Sequence, residues 1–304
     1  MRKQANIDQY YKNRHPDVYP ADKDQNVQVW QNTKHLFTKG RFKHFQPPIS
    51  QGYSTHWRLN QDRYHKPCEH TIVKVWNCDT LVGAKRMIDQ GFKPAVLNMA
   101  SNYVPGGGVR KGSRAQEECL FRRSNYFLTL DTAKLPHNTY PLEGCTAIYS
   151  PACRVIKGID NKVLDDEQQF NVDFIAIAGL RRPKLNNMKT SFRFDDDRDE
   201  LFVRVERIYQ VALDNNHDSM LLGALGCGAF KNPVEEVVQA FKFMNEKYDG
   251  YFKRIDFAVL SEKGNPNYNV FYQQLVYKDK NEHIKNNVGV NDISINNTDF
   301  PPLK

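Results

Sequence analysis

The 304-residue sequence predicts an α/β domain: a three-layer α/β/α arrangement around a central mixed, mostly parallel sheet, with a helical and loop extension at its amino-terminal end. Three observations predict it. Short apolar runs alternate with amphipathic helical stretches. Several of those runs are rich in Ile, Val, Ala and Leu with little alternation, as strands covered on both faces are. Two glycine-rich loops leave the carboxyl ends of predicted strands, where open α/β sheets bind their ligands.

Residues 1–70 carry many aromatics and are interrupted by Pro16, Pro20, Pro47, Pro48 and Pro67, so short helices and loops wrapping the core are expected, with QVWQNTKHLF the clearest helix. His65, Cys68 and His70 lie close enough for a metal corner, but a fourth ligand and a paired CxxC are missing, and no metal is expected. The core begins at Thr71 with TIVKVW, an alternating strand, followed by a turn at Asn77, Cys78 and Asp79. Thr80 to Gln90 then forms a helix closed by Gly91, with Asp79 placed to cap it. A second strand starts at Ala95 and runs into Gly106, Gly107 and Gly108. From Ala115 the pattern is helical, with Cys119, Leu120, Tyr126, Phe127 and Leu130 on one stripe.

Three apolar runs follow at Cys145 to Ser150, Val172 to Ala178 and Met220 to Gly223, read as strands. Between the last two, Asp195 to Asn215 is a helix with Leu201, Val205, Ile208 and Ala212 inward; Asp195, Asp196, Asp197 and Asp199 complement its dipole. A second glycine loop, Ala224 to Phe230, precedes a helix started by Asn232 and Pro233. Arg254 to Leu260 is the last strand, and KGNPNYNVFYQQL holds a turn and a short closing helix. From about Lys278 the chain is Asn-rich and a flexible tail is expected, ending in DFPPLK as an unstructured or docking segment. The expected organisation is an extension over 1–70, a catalytic body over 71–277 and a tail over 278–304.

A net charge of +8 and a pI near 9.0 favour a polyanionic partner or substrate. The six cysteines have no paired spacing and read as reduced thiols. No apolar run approaches the length of a membrane span, and MRKQANIDQYYKNRHPD lacks the apolar segment of a secretory signal. A monomer inside the cell, cytoplasmic or nuclear and without membrane contact, is expected.

The chemistry concentrates between Ala95 and Arg123. Three adjacent glycines free the backbone to turn successive amides toward one concave side, an anion-binding shape. Asn98 and Ser101 place short polar side chains at the strand's carboxyl end, and Glu117 and Glu118 fall in the first helical turn, where acids also complement the helix dipole. Carboxylates so close to an anion site imply a task on the ligand. In the second loop, the amides of Gly226, Cys227, Gly228 and Ala229 suit a diphosphate.

Gly106 to Gly108, seven intervening residues and Gln116-Glu117-Glu118 resemble the signature of poly(ADP-ribose) glycohydrolases. PAVLNMAS, PGGG and QEECLFRRS resemble its microbial-type branch with a macrodomain core, as do VWNCDTLVGAKRMIDQG and LLGALGCGAFKNPVEEVVQAF; the resemblance spans roughly 70 to 262. It implies a macrodomain fold and hydrolysis of ribose–ribose linkages in poly(ADP-ribose), with no cofactor and no metal. By the same resemblance Glu118 is the proton donor and then the base, Glu117 holds ribose hydroxyls, and Gln116 orients the pair. Gly106 to Gly108 face the diphosphate and proximal ribose, Asn98 reads hydroxyls, Phe230 flanks the adenine or distal ribose, and Asp79 binds the adenine amino group. Two alternatives stay open: an ADP-ribose reader without turnover, and a hydrolase of mono-ADP-ribose on proteins or nucleic acid.

Overall fold

The computed structural model describes residues 22–130, 140–260 and 266–276. The expected tail over 278–304 and its DFPPLK end lie outside the described residues.

β3 (Pro94–Met99) is the centre of a seven-stranded sheet. It pairs in parallel with β5 (Phe170–Ile177) on one side and β6 (Ser219–Leu222) on the other. Beyond β6 lie β7 (Arg254–Ala258) and β2 (Ile72–Trp76), also parallel. Beyond β5 lie β4 (Ala147–Val155) and β1 (Gln51–Tyr53), each antiparallel to its neighbour, giving the order β1-β4-β5-β3-β6-β7-β2. The sheet is thus mixed and mostly parallel, as expected.

The central strands carry apolar side chains on both faces, and alternation divides them between two cores. Ala95, Leu97, Ile175, Ile177, Met220 and Leu222 face one; Val96, Phe174, Ala176 and Leu221 face the other. The first core is closed by α5 (Asp195–Asp214), α6 (Val234–Lys247) and α7 (Asn267–Leu275) through Leu201, Val205, Val237, Phe241 and Phe271. The second is closed by α1 (Lys23–Thr38), α2 (Thr80–Asp89), α3 (Gln116–Arg123) and α4 (Tyr126–Thr129) through Trp30, Leu81, Met87, Phe121 and Tyr126. Helices on both faces complete the three layers.

Two features depart from the sequence reading. The helical stripe from Ala115 to Leu130 is two helices, α3 and α4, because the chain leaves the helix at Ser124 to join the sheet. Ser124 bridges Val155, and the Asn125 side chain accepts the Arg154 amide at 2.7 Å while donating to the Phe45 carbonyl at 3.0 Å. The edge strand β1 also went unseen, since three residues are too few to show a period. It is the edge of the sheet among the described residues, and Tyr53 alone of its side chains is buried.

Candidate active site

α3 begins where it does because Gln116 is fastened to β3. The register between β3 and β6 ends at Val96, which leaves ladder groups beyond it unpaired on that side. The Gln116 side chain takes them: its oxygen accepts the Met99 amide at 3.0 Å and its amide donates to the Leu97 carbonyl at 2.6 Å. A buried backbone demands such partners. The next two side chains, Glu117 and Glu118, are therefore delivered to the carboxyl end of the central strand, 3% and 6% exposed.

The triple-glycine loop closes over them. Glu117 accepts the Ser101 amide at 2.7 Å on one oxygen, and the Gly106 amide at 3.0 Å and the Asn98 side-chain amide at 3.4 Å on the other. Glu118 accepts the Gly108 amide at 2.8 Å on Oε1, while its Oε2 is buried without a partner. The Gly107 amide turns back to the Val104 carbonyl at 3.2 Å. Of the three amides expected to face a diphosphate, those of Gly106 and Gly108 are thus occupied by the protein's own carboxylates and that of Gly107 by a backbone carbonyl. The concave amide cluster attracts negative charge, and the nearest negative charges are Glu117 and Glu118. Gly107, at φ +50, is held to glycine by that closeness: a Cβ there would stand 2.7 Å from a Glu118 oxygen.

Burial pushes the Glu117 carboxyl up to about 8, with the charge of Glu118 adding to the rise; the Ser101 and Gly106 amides and the Asn98 side chain pull against it. Asn98 is fully buried on β3, shares its amide between Glu117 and the Tyr126 hydroxyl at 3.0 Å, and keeps Oδ1 without a partner. Ser101 contributes its backbone amide to Glu117, and its hydroxyl accepts the Tyr103 amide at 3.3 Å, tightening the turn that carries the loop.

Beside this pair is a cavity of about 170 Å³. Its walls include Asp79 and Thr80 at the start of α2, Arg114 and Gln116, and Ala224 and Gly228 of the second glycine loop. The strand order places it over the carboxyl ends of β6, β7 and β2. Gln116 stands between the cavity and the two glutamates, which do not line it.

Asp79 combines two roles here. It caps α2 through the Val82 amide at 3.0 Å, and it forms a buried ion pair with Arg123 at 2.8 Å. The second loop is pinned by Asn232, whose side chain donates to the Leu180 carbonyl at 2.5 Å. Its tip is open: Gly228 and Ala229 are exposed, their amides have no acceptor among the described residues, and a Cβ on Gly228 would meet nothing within 4 Å. Gly226, at φ +73, lies too near Asn232 for any side chain. Cys227 is half-buried, and burial pushes its thiol far up, so it stays neutral. Phe230 packs half-buried against the α2 and α3 side of the core and does not line the cavity; its carbonyl accepts the Arg182 amide at 2.8 Å.

The sequence reading passed over Arg114 and Thr80. Arg114 had a signal, a cation inside the spacer between the glycines and Gln116, whereas Thr80 had none. The supposed metal corner is otherwise employed. Cys68 donates to the carbonyls of Gly250 and Phe252, His70 pairs with Asp249 at 2.8 Å, and no His, Cys, Asp or Glu cluster among the described residues could hold a metal.

Residues 11–158 match the family "Microbial-type PARG, catalytic domain", a stretch that holds Gly106 to Gly108 and all three of Gln116, Glu117 and Glu118. Over this stretch, just under half of the chain, the sequence is similar to the microbial-type PARG family. The match starts well before residue 70 and takes in α1 and β1, where the sequence reading found no resemblance; the second glycine loop lies outside it. No curated protein sequence matches the chain.

Solved structures share the fold. Poly(ADP-ribose) glycohydrolase from Thermomonospora curvata has a TM-score of 0.68 at 22% identity, with 83% of this chain and 100% of that chain covered. The same enzyme bound to the inhibitor ADP-HPD gives 0.68 at 23%, with the same coverage. The Deinococcus radiodurans enzyme in complex with ADP-ribose gives 0.64 at 23%, covering 75% of this chain and 94% of that chain.

Proposed function

We propose that this chain is a poly(ADP-ribose) glycohydrolase, cutting ribose–ribose O-glycosidic bonds to release ADP-ribose. One observation carries the reading: two adjacent buried carboxyl groups sit at the carboxyl end of the central strand, one with an unpartnered oxygen, beside a cavity edged by a loop with outward amides. The family-model match over residues 11–158 and the ADP-ribose bound to the Deinococcus radiodurans enzyme support the choice of ligand.

Breaking the bond leaves positive charge on the anomeric carbon and negative charge on the departing ribose oxygen. The two adjacent carboxyl groups share one proton; with substrate bound it sits on Glu118, which gives it to that oxygen as the carbon–oxygen bond breaks. Its carboxylate then takes a proton from water as the water oxygen bonds to the carbon, and Glu118 ends as it began. The Gly108 amide fixes Oε1, so Oε2 is the oxygen that exchanges the proton. Glu117, oriented by Ser101, Gly106 and Asn98, meets ribose hydroxyls. Asp79 and Thr80 hold the adenosine end, Arg114 with the amides of Gly228 and Ala229 faces the diphosphate, and Phe230, outside the cavity, flanks the distal ribose. The unpaired state of all six cysteines supports action inside the cell; among the described residues no helix is long and apolar enough to cross a membrane. Residues 22–70 act as an extension packed on the body that follows.

Labelled poly(ADP-ribose) and a mono-ADP-ribosylated protein, each incubated with the enzyme and resolved by chromatography, test the proposal. Release of ADP-ribose from the polymer is expected. Release only from the mono-modified protein, or binding with no release from either, contradicts it.

A further inference from the structure

An aromatic and basic surface lies on the other side of the glutamates from the cavity. Tyr103 is 56% exposed and sits in the loop whose Ser101 and Gly106 amides grip Glu117. Arg181, at the carboxyl end of β5, lays its guanidinium 4.8 Å from the Tyr103 ring centroid and donates to its hydroxyl at 3.0 Å. The segment is anchored: the Arg182 amide donates to the Phe230 carbonyl at 2.8 Å, and Gly179 passes so near Gly226 that a Cβ would stand 2.9 Å from its Cα. Beyond it a hairpin, closed by the bridge Leu185 to Phe192, carries Lys184, Lys189 and Arg193, with Phe194 49% exposed beside Lys184 and Arg193. From Phe174 through Phe194 the sequence has five cations and no carboxylate. The run of aspartates at the start of α5 ends this basic surface at Phe194.

The strand order gives the surface a direction. The cavity lies over β6, β7 and β2, the glutamates lie at the end of β3, and Tyr103 with Arg181 lies over β3 and β5. A substrate whose ADP-ribosyl part enters the cavity presents its scissile bond to Glu118 and lays its departing part toward β5. We propose that Tyr103, Arg181 and the basic hairpin after them bind the leaving-side unit of the polymer, a purine nucleotide diphosphate, and so favour polymer over isolated ADP-ribose. Aromatic faces stack bases and arginines meet phosphates, the combination that single-stranded nucleotide chains require. The inference rests on the hydrolase reading above.

Calorimetric titration of the Glu118→Gln enzyme with ADP-ribose, with its dimer, and with a single-stranded oligonucleotide of equal charge tests it. The dimer is expected to bind roughly tenfold more tightly than ADP-ribose, the size of one stacked base. Tyr103→Ala and Arg181→Ala in that background each remove most of the gain and leave ADP-ribose affinity unchanged, whereas Tyr103→Phe keeps the gain. Equal affinities for dimer and ADP-ribose overturn the inference and leave the hydrolase reading intact, as does a gain that survives both alanine changes or is matched by the oligonucleotide. A parallel loss of ADP-ribose affinity assigns the pair to loop integrity and also overturns it. Failure to bind either ADP-ribose ligand overturns both readings.

Discussion

Glu117 is the site carboxyl whose chemistry burial changes, and the change has a sign. Its folded value, about 8, lies above the usual carboxylate range, so the folded state holds a proton that the unfolded chain has released. Glu117 therefore costs nothing below about pH 4.5, and its burial subtracts stability progressively as pH rises to about 8. Replacement by Gln is expected to flatten that part of the curve, by an amount on the order of a few kcal/mol, read from urea midpoints at successive pH values. An unchanged slope contradicts the assignment. Lys157 works the opposite window: burial lowers its ammonium to about 8 while it donates to the Asn32 side chain at 2.8 Å. Stability rises from about pH 8 toward 10.5 through this residue, and Lys157→Met removes the rise. At this scale the sequence was most legible where spacing is local. Gly106 to Gly108 and Gln116 to Glu118 lie within one loop and one helical turn, so their meeting could be read directly. Which anion the glycine amides hold could not: a concave amide cluster accepts a phosphate or a side-chain carboxylate alike, and the choice depends on how closely α3 approaches.

The elements around the site are clamped by contacts far apart in sequence, which hid them from local pattern reading. α1 is the clearest case. Its Asn26 donates to the Gly112 carbonyl at 3.2 Å, its Thr33 hydroxyl lies 2.5 Å from the Arg122 carbonyl, and Trp30 meets the rings of Phe121 and Phe127 at 6.1 and 5.0 Å. Gly112, at φ +74, would drive a Cβ into the Lys23 carbonyl at the start of α1. Gly112→Ala is therefore expected to cost roughly 1–3 kcal/mol, through left-handed strain and the displaced helix, and equilibrium denaturation measures it. Asp79→Asn keeps an acceptor for the α2 cap but leaves the Arg123 guanidinium buried opposite a neutral amide. A loss of about 3 kcal/mol is expected by the same measurement. The split of α3 from α4 was equally invisible, since Ser124 and Asn125 leave the helix for partners at Val155, Arg154 and Phe45.

For the whole molecule, the parallel half of the sheet was written in its apolar runs, because strands buried on both faces need no partner to be recognised. The antiparallel margin was not: β1 is three residues long, and β4 extends past the predicted Ser150 to Val155 with a shift in its register after Ser150. The segment before residue 70 supplies both α1 and the edge strand. Removing residues 1–45 strips Trp30, Phe37 and Phe42 from the core and is expected to lower Tm by at least about 10 °C in a thermal scan. What this architecture achieves is the placement of one carboxyl group, with one oxygen tied to Gly108 and the other buried without a partner, which the proposed mechanism uses for the proton. Polymer turnover by Glu118→Gln, measured together with ADP-ribose affinity, tests that directly. Turnover should fall by at least about 100-fold with affinity kept within roughly tenfold, the usual scale of acid–base catalysis. Turnover that persists while affinity collapses would contradict it.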